Sequence, residues 1–207
     1  LVPWQLAAER TGAVLRYIPL DDEGRWDLTD LDGLLGPRTR LVAVSHVSNA
    51  LGTINPVAEL AARAHAAGAV IVVDGAQGAP HLPVDVQELG CDFYAFGAHK
   101  MCGPTGIGVL WGRAKLLDAM PPYQGGGEMI SEVHQDHSTW APLPHKFEAG
   151  TPNIAGAIGT AAAIRYLQQF GADAILQHEQ SLTRYALERL SQIDGLRIFG
   201  PRDPEER

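Results

Sequence analysis

Hydrophobic and polar positions along this chain switch between a period near 3.6 and short apolar runs, which predicts alternating helices and strands. Pro3 suits a first helical turn and Gly12 a helix end, so the segment between them reads as a helix. Ala13 to Ile18 then reads as a strand. Asp27 is placed to cap a short helix carrying Leu28, Leu31, Leu34 and Leu35. Leu41 to Val44 has the β-branched, apolar character of a buried parallel strand. Asn55 and Pro56 open a helix with Val57, Leu60, Ala61 and Ala64 on one face and Gly68 at its end. Ala69 to Val73 is the clearest strand and runs into Asp74-Gly75. Asp92 to Phe96 runs in the same way into Gly97-Ala98-His99-Lys100, and Ile107 to Trp111 follows as a third. The interval between these last two is too short for a helical crossover, so they are expected to pair antiparallel.

Residues 121–146 hold three consecutive glycines, several prolines and the histidines 134, 137 and 145, and read as a long irregular loop. After Gly150-Thr151-Pro152, a helix is expected with Ile154, Ala157, Ile158, Ala161 and Ile164 on one face. Another carries Ile175, Leu182, Ala186, Leu190 and Ile193, and Leu196 to Phe199 reads as a closing strand. This order predicts an α/β fold with a mainly parallel sheet flanked by helices. A boundary at Gln168 to Gly171 divides it into residues 1–168 and the start of a smaller α/β domain over 169–207.

A formal net charge of -8 disfavours nucleic acid and anionic membrane surfaces as partners. No apolar run approaches the roughly 20 residues of a membrane-spanning helix. The two cysteines, Cys91 and Cys102, form no CxxC pair, which excludes a disulfide scaffold and fits a reducing, cytoplasmic setting. The sequence begins at Leu1, its first methionine is Met101, and it stops at Arg207 soon after an expected strand. The expectation is a piece of a longer protein, with material missing on both sides.

Ligands of parallel α/β sheets sit beyond the carboxyl ends of the strands. Three polar clusters fall there: Ser45-His46-Val47-Ser48-Asn49, Asp74-Gly75-Ala76-Gln77 and Gly97-Ala98-His99-Lys100. Together they offer what pyridoxal phosphate (PLP) requires. Lys100 supplies an amine for the aldehyde, and Asp74 a carboxylate to keep the ring nitrogen protonated. Asn49 and Gln77 can bond the phenolic oxygen, and His99 with the backbone near Gly97 can meet the phosphate. Residue by residue, a bland alternative stays open. An Asp after a strand is often a turn former, a lysine is often a solvated charge, and Asn49 and Gln77 can satisfy loop backbone.

The stretches His46-Val47-Ser48-Asn49, Val73-Asp74-Gly75-Ala76-Gln77, Asp92-Phe93-Tyr94, His99-Lys100 and Gly103-Pro104-Thr105-Gly106-Ile107-Gly108 resemble those of fold-type I PLP enzymes of the class V aminotransferase group. With Gly125-Gly126-Gly127-Glu128-Met129-Ile130 and Phe147-Glu148-Ala149-Gly150-Thr151-Pro152-Asn153, the chain is similar to SUF-type (group II) cysteine desulfurases along its whole length, as about the middle half of such an enzyme. The resemblance implies a fold-type I large domain in which Lys100 carries PLP and Asp74 pairs with the pyridinium nitrogen. It also implies that Gln77 and Asn49 contact the phenolic oxygen and that His99 donates to the phosphate. Thr151 would reach the phosphate of the partner subunit's cofactor, hence a homodimer with shared active sites. The implied reaction takes sulfur from L-cysteine, leaves L-alanine and an enzyme persulfide, and hands sulfur to an acceptor protein for iron–sulfur cluster assembly.

One departure stands out. The family usually carries a serine where this chain has Gly97, and its hydroxyl holds the phosphate. The loss of such a bond costs about 1.5–3 kcal/mol where nothing replaces it. The family's ring-stacking histidine, nucleophilic cysteine and substrate-binding arginine fall outside residues 1–207.

Other features carry less. Cys102 lies two residues from Lys100 but occupies a position that packs in the family, and Cys91 reads as a small buried hydrophobe. His134, His137 and His145 lack metal-ligand spacing, so no metal is expected. His46 and His81 read as structural, and the Gly125 to Gly127 run lacks the context of a nucleotide loop. Two other readings remain: another class V enzyme (selenocysteine lyase, aminotransferase or epimerase) sharing Asp74 and Lys100, or a fragment that is inert when separated from its missing parts.

Overall fold

A computed structural model describes all 207 residues. Helix α1 (Val2–Thr11) ends at Gly12, whose φ of 71° is left-handed. After the short α2 (Leu31–Leu34) come β1 (Leu41–Ser45), α3 (Val57–Ala66) and β2 (Val70–Asp74). One turn of helix, α4 (Gly78–His81), leads towards β3 (Phe93–Gly97). A 3-10 turn over Ala98–Lys100 precedes β4 (Gly108–Gly112) and α5 (Ala114–Ala119). The chain closes with the strands β5 (Ile130–Val133) and β6 (Ser138–Trp140), then α6 (Ile154–Gln168) and α7 (Ala172–Leu190).

The main sheet has the order β1-β2-β3-β4. β1, β2 and β3 are parallel, and β4 runs antiparallel to β3, as the short interval before it required. The expected α/β architecture with a mainly parallel sheet is therefore present. α3 packs its apolar stripe onto the sheet. Val57, Leu60, Ala61 and Ala64 are all buried, facing Val42, Ile71, Val73 and Tyr94 in one cluster. Each large aliphatic side chain there contributes about 1.5–3 kcal/mol by leaving water.

Asp92 fastens this layer from below. Its Oδ2 accepts from the Ile71 N–H at 2.8 Å and lies 2.8 Å from His65 Nε2 on α3. Its Oδ1 is 2.8 Å from Arg113 Nε, just before α5. A buried carboxylate is tolerable here because every side of it is bonded.

Several expectations are corrected. Ala13 to Ile18 and Leu196 to Phe199 form no strand, because neither takes part in a strand pairing that would complete a ladder. Val14 and Phe199 stay exposed. Asp27 does not cap a helix. Its Oδ1 accepts from the Thr29 N–H at 3.0 Å, a local turn, and the helix starts later, at Leu31. Residues 121–146 are not wholly irregular, since they contain the β5–β6 hairpin with a bulge between Ile130 and Glu132. Helix α6 forms where expected but presents a different face to the body. Gly156, Thr160 and Ala163 are buried, while Ile154 and Ile158 are 57% and 66% exposed. Small residues allow the close approach, with Gly159 set against the Pro104 ring.

Candidate active site

The parallel pairing sets Ser45 and Asp74, the last residues of β1 and β2, beside Ala95, two residues before the end of β3. The backbone carries the ladder one step further. His46 N–H donates to Asp74 O at 2.8 Å, and Gly75 N–H donates to Ala95 O at 2.8 Å. The three loops that leave these ends thus start from fixed positions on one edge of the sheet.

Each loop is shaped locally. Asp74 Oδ1 accepts from the Ala76 N–H at 2.9 Å, which turns the chain so that Gln77 precedes α4. Its other oxygen, Oδ2, has no partner in the protein. Beyond Gly97, the buried Ala98 anchors the 3-10 turn. Its N–H donates to Ile107 O, and its carbonyl accepts from Met101 and Gly103 N–H groups at 2.9 and 3.0 Å. Gly103 is needed because a Cβ there would lie 2.8 Å from Ala98 O. His99 and Lys100 project from this turn, exposed and without a hydrogen-bond or ion-pair partner.

The three lysines separate clearly. Lys146 is buried and its Nζ donates to Asp118 O at 2.7 Å and Leu117 O at 3.3 Å, closing the end of α5. Lys115 lies on α5, after the antiparallel β4. Gly112 at the end of β4 pairs with Phe93 at the start of β3, so Lys115 follows the opposite edge of the sheet from Asp74. Lys100 alone combines a free amine with the carboxyl ends of the parallel strands.

Asn49 and Gln77 line one open cavity of about 400 Å³ with Val47, Ser48, His81 and Arg207. Its far wall is α7, where Glu179 Oε1 lies 2.8 Å from His81 Nδ1. No sequence pattern signals that pairing, which spans 98 residues. Thr151 stands apart from the other candidates, on an exposed loop held by Asn153 Nδ2 donating to Gly106 O at 3.3 Å. His46, read as structural, is buried with its Nδ1 3.0 Å from the Tyr94 hydroxyl. Cys91 is fully buried and burial pushes its thiol up, away from reactivity, whereas Cys102 is exposed at a φ of 58°. His134 and His137 stack with ring centroids 4.4 Å apart on the β5–β6 hairpin, each beside a carboxylate. No helix is long and apolar enough to cross a membrane.

The family described as aminotransferase class-V matches residues 1–207. The chain belongs to the class-V aminotransferase family. Among its class-V relatives, a probable cysteine desulfurase of Streptomyces coelicolor is 56% identical over 207 residues, which is 100% of this chain and 50% of that protein. The chain thus spans about half the length of the curated relatives it matches. The crystal structure of the Escherichia coli cysteine desulfurase CsdA superposes with a TM-score of 0.91 at 44% identity, covering 99% of this chain and 51% of that one. A C-DES variant with glycine covalently linked to its PLP cofactor superposes at 0.87 and 28% identity, over 99% of this chain and 55% of that one. These neighbours share the α/β fold of this chain.

Proposed function

We propose that this chain is the cofactor-bearing part of a PLP-dependent cysteine desulfurase. The observation that carries the reading is the unpartnered Lys100 amine on the turn that follows β3, the strand beside the one that ends at Asp74, whose Oδ2 is also free. The donor set fits PLP: an amine, a carboxylate, an imidazole and two amides, none of them tied up by the rest of the protein except through the Asp74 turn. The class-V family match, the C-DES neighbour with its PLP-linked glycine and the desulfurase relatives support the same reading.

In that reading Lys100 would hold the cofactor, Asp74 would face the ring nitrogen, Asn49 and Gln77 the phenolic oxygen, and His99 the phosphate. Thr151 would serve the cofactor of a partner subunit in a homodimer. Bound PLP supplies an electron sink that lets the carbon–sulfur bond of L-cysteine break. This chain's residues do the rest of the holding. The Asp74 carboxylate would keep a proton on the ring nitrogen, and the Lys100 amine would take and return protons at the substrate carbon. The net change is balanced: L-cysteine and a protein thiol give L-alanine and a protein persulfide. The receiving thiol would be the nucleophilic cysteine that the resemblance places outside residues 1–207, since Cys91 is buried and Cys102 holds a position that packs in the family.

The same proposal includes a SUF-type role in the cytoplasm, with a sulfur-acceptor protein feeding iron–sulfur cluster assembly. It treats residues 1–168 as part of the PLP-binding large domain and 169–207 as the start of a smaller one, a division supported by the break at Gly171 between α6 and α7. Incubation of the complete protein with PLP, L-cysteine and a reducing thiol tests it, the added thiol being oxidised as it releases the persulfide's outer sulfur as sulfide. Stoichiometric alanine and sulfide, both lost in Lys100→Ala, are expected. Alanine-free turnover of another amino acid would point instead to a different class V reaction.

A further inference from the structure

The His46–Tyr94 pair lies beneath the turn that bears Asp74 and Gln77. Tyr94 is 1% exposed and His46 6%, and the rings meet edge to face with Nδ1 and the hydroxyl 3.0 Å apart. His46 belongs to the loop leaving β1, three residues before Asn49, and Tyr94 to β3, six before Lys100. Their hydrogen bond therefore ties β1 to β3 across β2.

The β2 turn rests directly on these rings. A Cβ at Gly75 would fall 2.0 Å from the Tyr94 ring, and a Cβ at Gly78 would fall 2.6 Å from both His46 Nδ1 and the Tyr94 hydroxyl. Glycine at both ends of Asp74-Gly75-Ala76-Gln77-Gly78 lets the backbone touch the pair without an intervening side chain. Ala79 N–H donates to Gly75 O at 2.8 Å and completes the turn over it. Burial holds the imidazole below its ordinary range and pushes the phenol up, so both rings are neutral at physiological pH and lie in the core without a charge.

We propose that His46 and Tyr94 form a pedestal that positions Asp74 and Gln77, and so act as positioning residues for the cofactor site. This rests on the reading of that site as a PLP site, and it goes beyond it by assigning a task to two residues that touch neither cofactor nor substrate. A ligand ring nitrogen is held by one carboxylate oxygen, so a small tilt of the β2 turn changes how well that oxygen reaches it.

Tyr94→Phe in the complete protein tests the pedestal, since the ring that supports Gly75 is kept and only the hydroxyl goes. Without PLP, amide hydrogen exchange over residues 75–79 is expected to quicken about five-fold, the loss of one buried hydrogen bond. With PLP, the dissociation constant should rise by a similar factor and the visible band of the bound cofactor should change its position or share. Leu60→Ala, which weakens the same core but leaves the His46–Tyr94 hydrogen bond in place, should lower the melting temperature without altering that band. Unchanged exchange at 75–79 together with an unchanged band in Tyr94→Phe would overturn the proposal. Persistence of the band in Lys100→Ala would reject the PLP-site reading instead, and the cofactor-free exchange arm would still decide the pedestal.

Discussion

The Tyr94 hydroxyl stands 3.0 Å from Nδ1 of His46, inside the core and under the turn that follows β2. Because burial holds the His46 pKa below 6.5, the unfolded chain takes up this proton more readily than the folded one. The contribution is present in full above about pH 6.5 and is lost as pH falls below it. Thermal unfolding from pH 7.5 to pH 5 should show stability falling with acid. His46→Asn should flatten that fall by up to about 1.4 kcal/mol per pH unit. Equal slopes in both proteins would show that His46 takes up its proton as readily in the fold as in the unfolded chain.

Asp92 joins three elements, and its removal strands the buried Ile71 N–H as well as separating Arg113 and His65. Asp92→Ala should destabilise the protein by about 3 kcal/mol. Asp92→Asn, which keeps an acceptor for Ile71, should cost less. Urea midpoints of the two variants give the order directly, and equal midpoints would contradict the account.

Gly97 lies close against His99: a Cβ there would come 3.0 Å from Nδ1, so the exposed ring would have to give way. Gly97→Ser should fit after a small shift of His99 and add a hydroxyl donor next to the expected phosphate position. PLP affinity should then rise by roughly ten-fold, the value of about 1.4 kcal/mol for one charge-assisted bond. Fluorescence titration of PLP into both proteins measures it. Weaker binding would show that His99 needs its present place.

The residues explain what the sequence revealed and what it hid. α3 and β2 were legible because Val57, Leu60, Ala61 and Ala64 repeat at helical spacing, and Ile71 and Val73 face them from the sheet. Asp74 and Lys100 stood out because each follows a strong strand signal. Ala13 to Ile18 misled because an apolar run becomes a strand only when a partner completes its hydrogen bonds. α6 misled because it is apolar nearly all round, so periodicity could not tell which side meets Pro104. The His46–Tyr94 and His81–Glu179 pairs were hidden, since they depend on strand register and helix docking across 48 and 98 residues.

The most direct test of the central claim is borohydride reduction of the complete protein after PLP loading, followed by peptide mass mapping. The account predicts a phosphopyridoxyl mass on the peptide containing Lys100 and none on those containing Lys115 or Lys146. The mass on any other lysine, or no stable adduct at all, would contradict it.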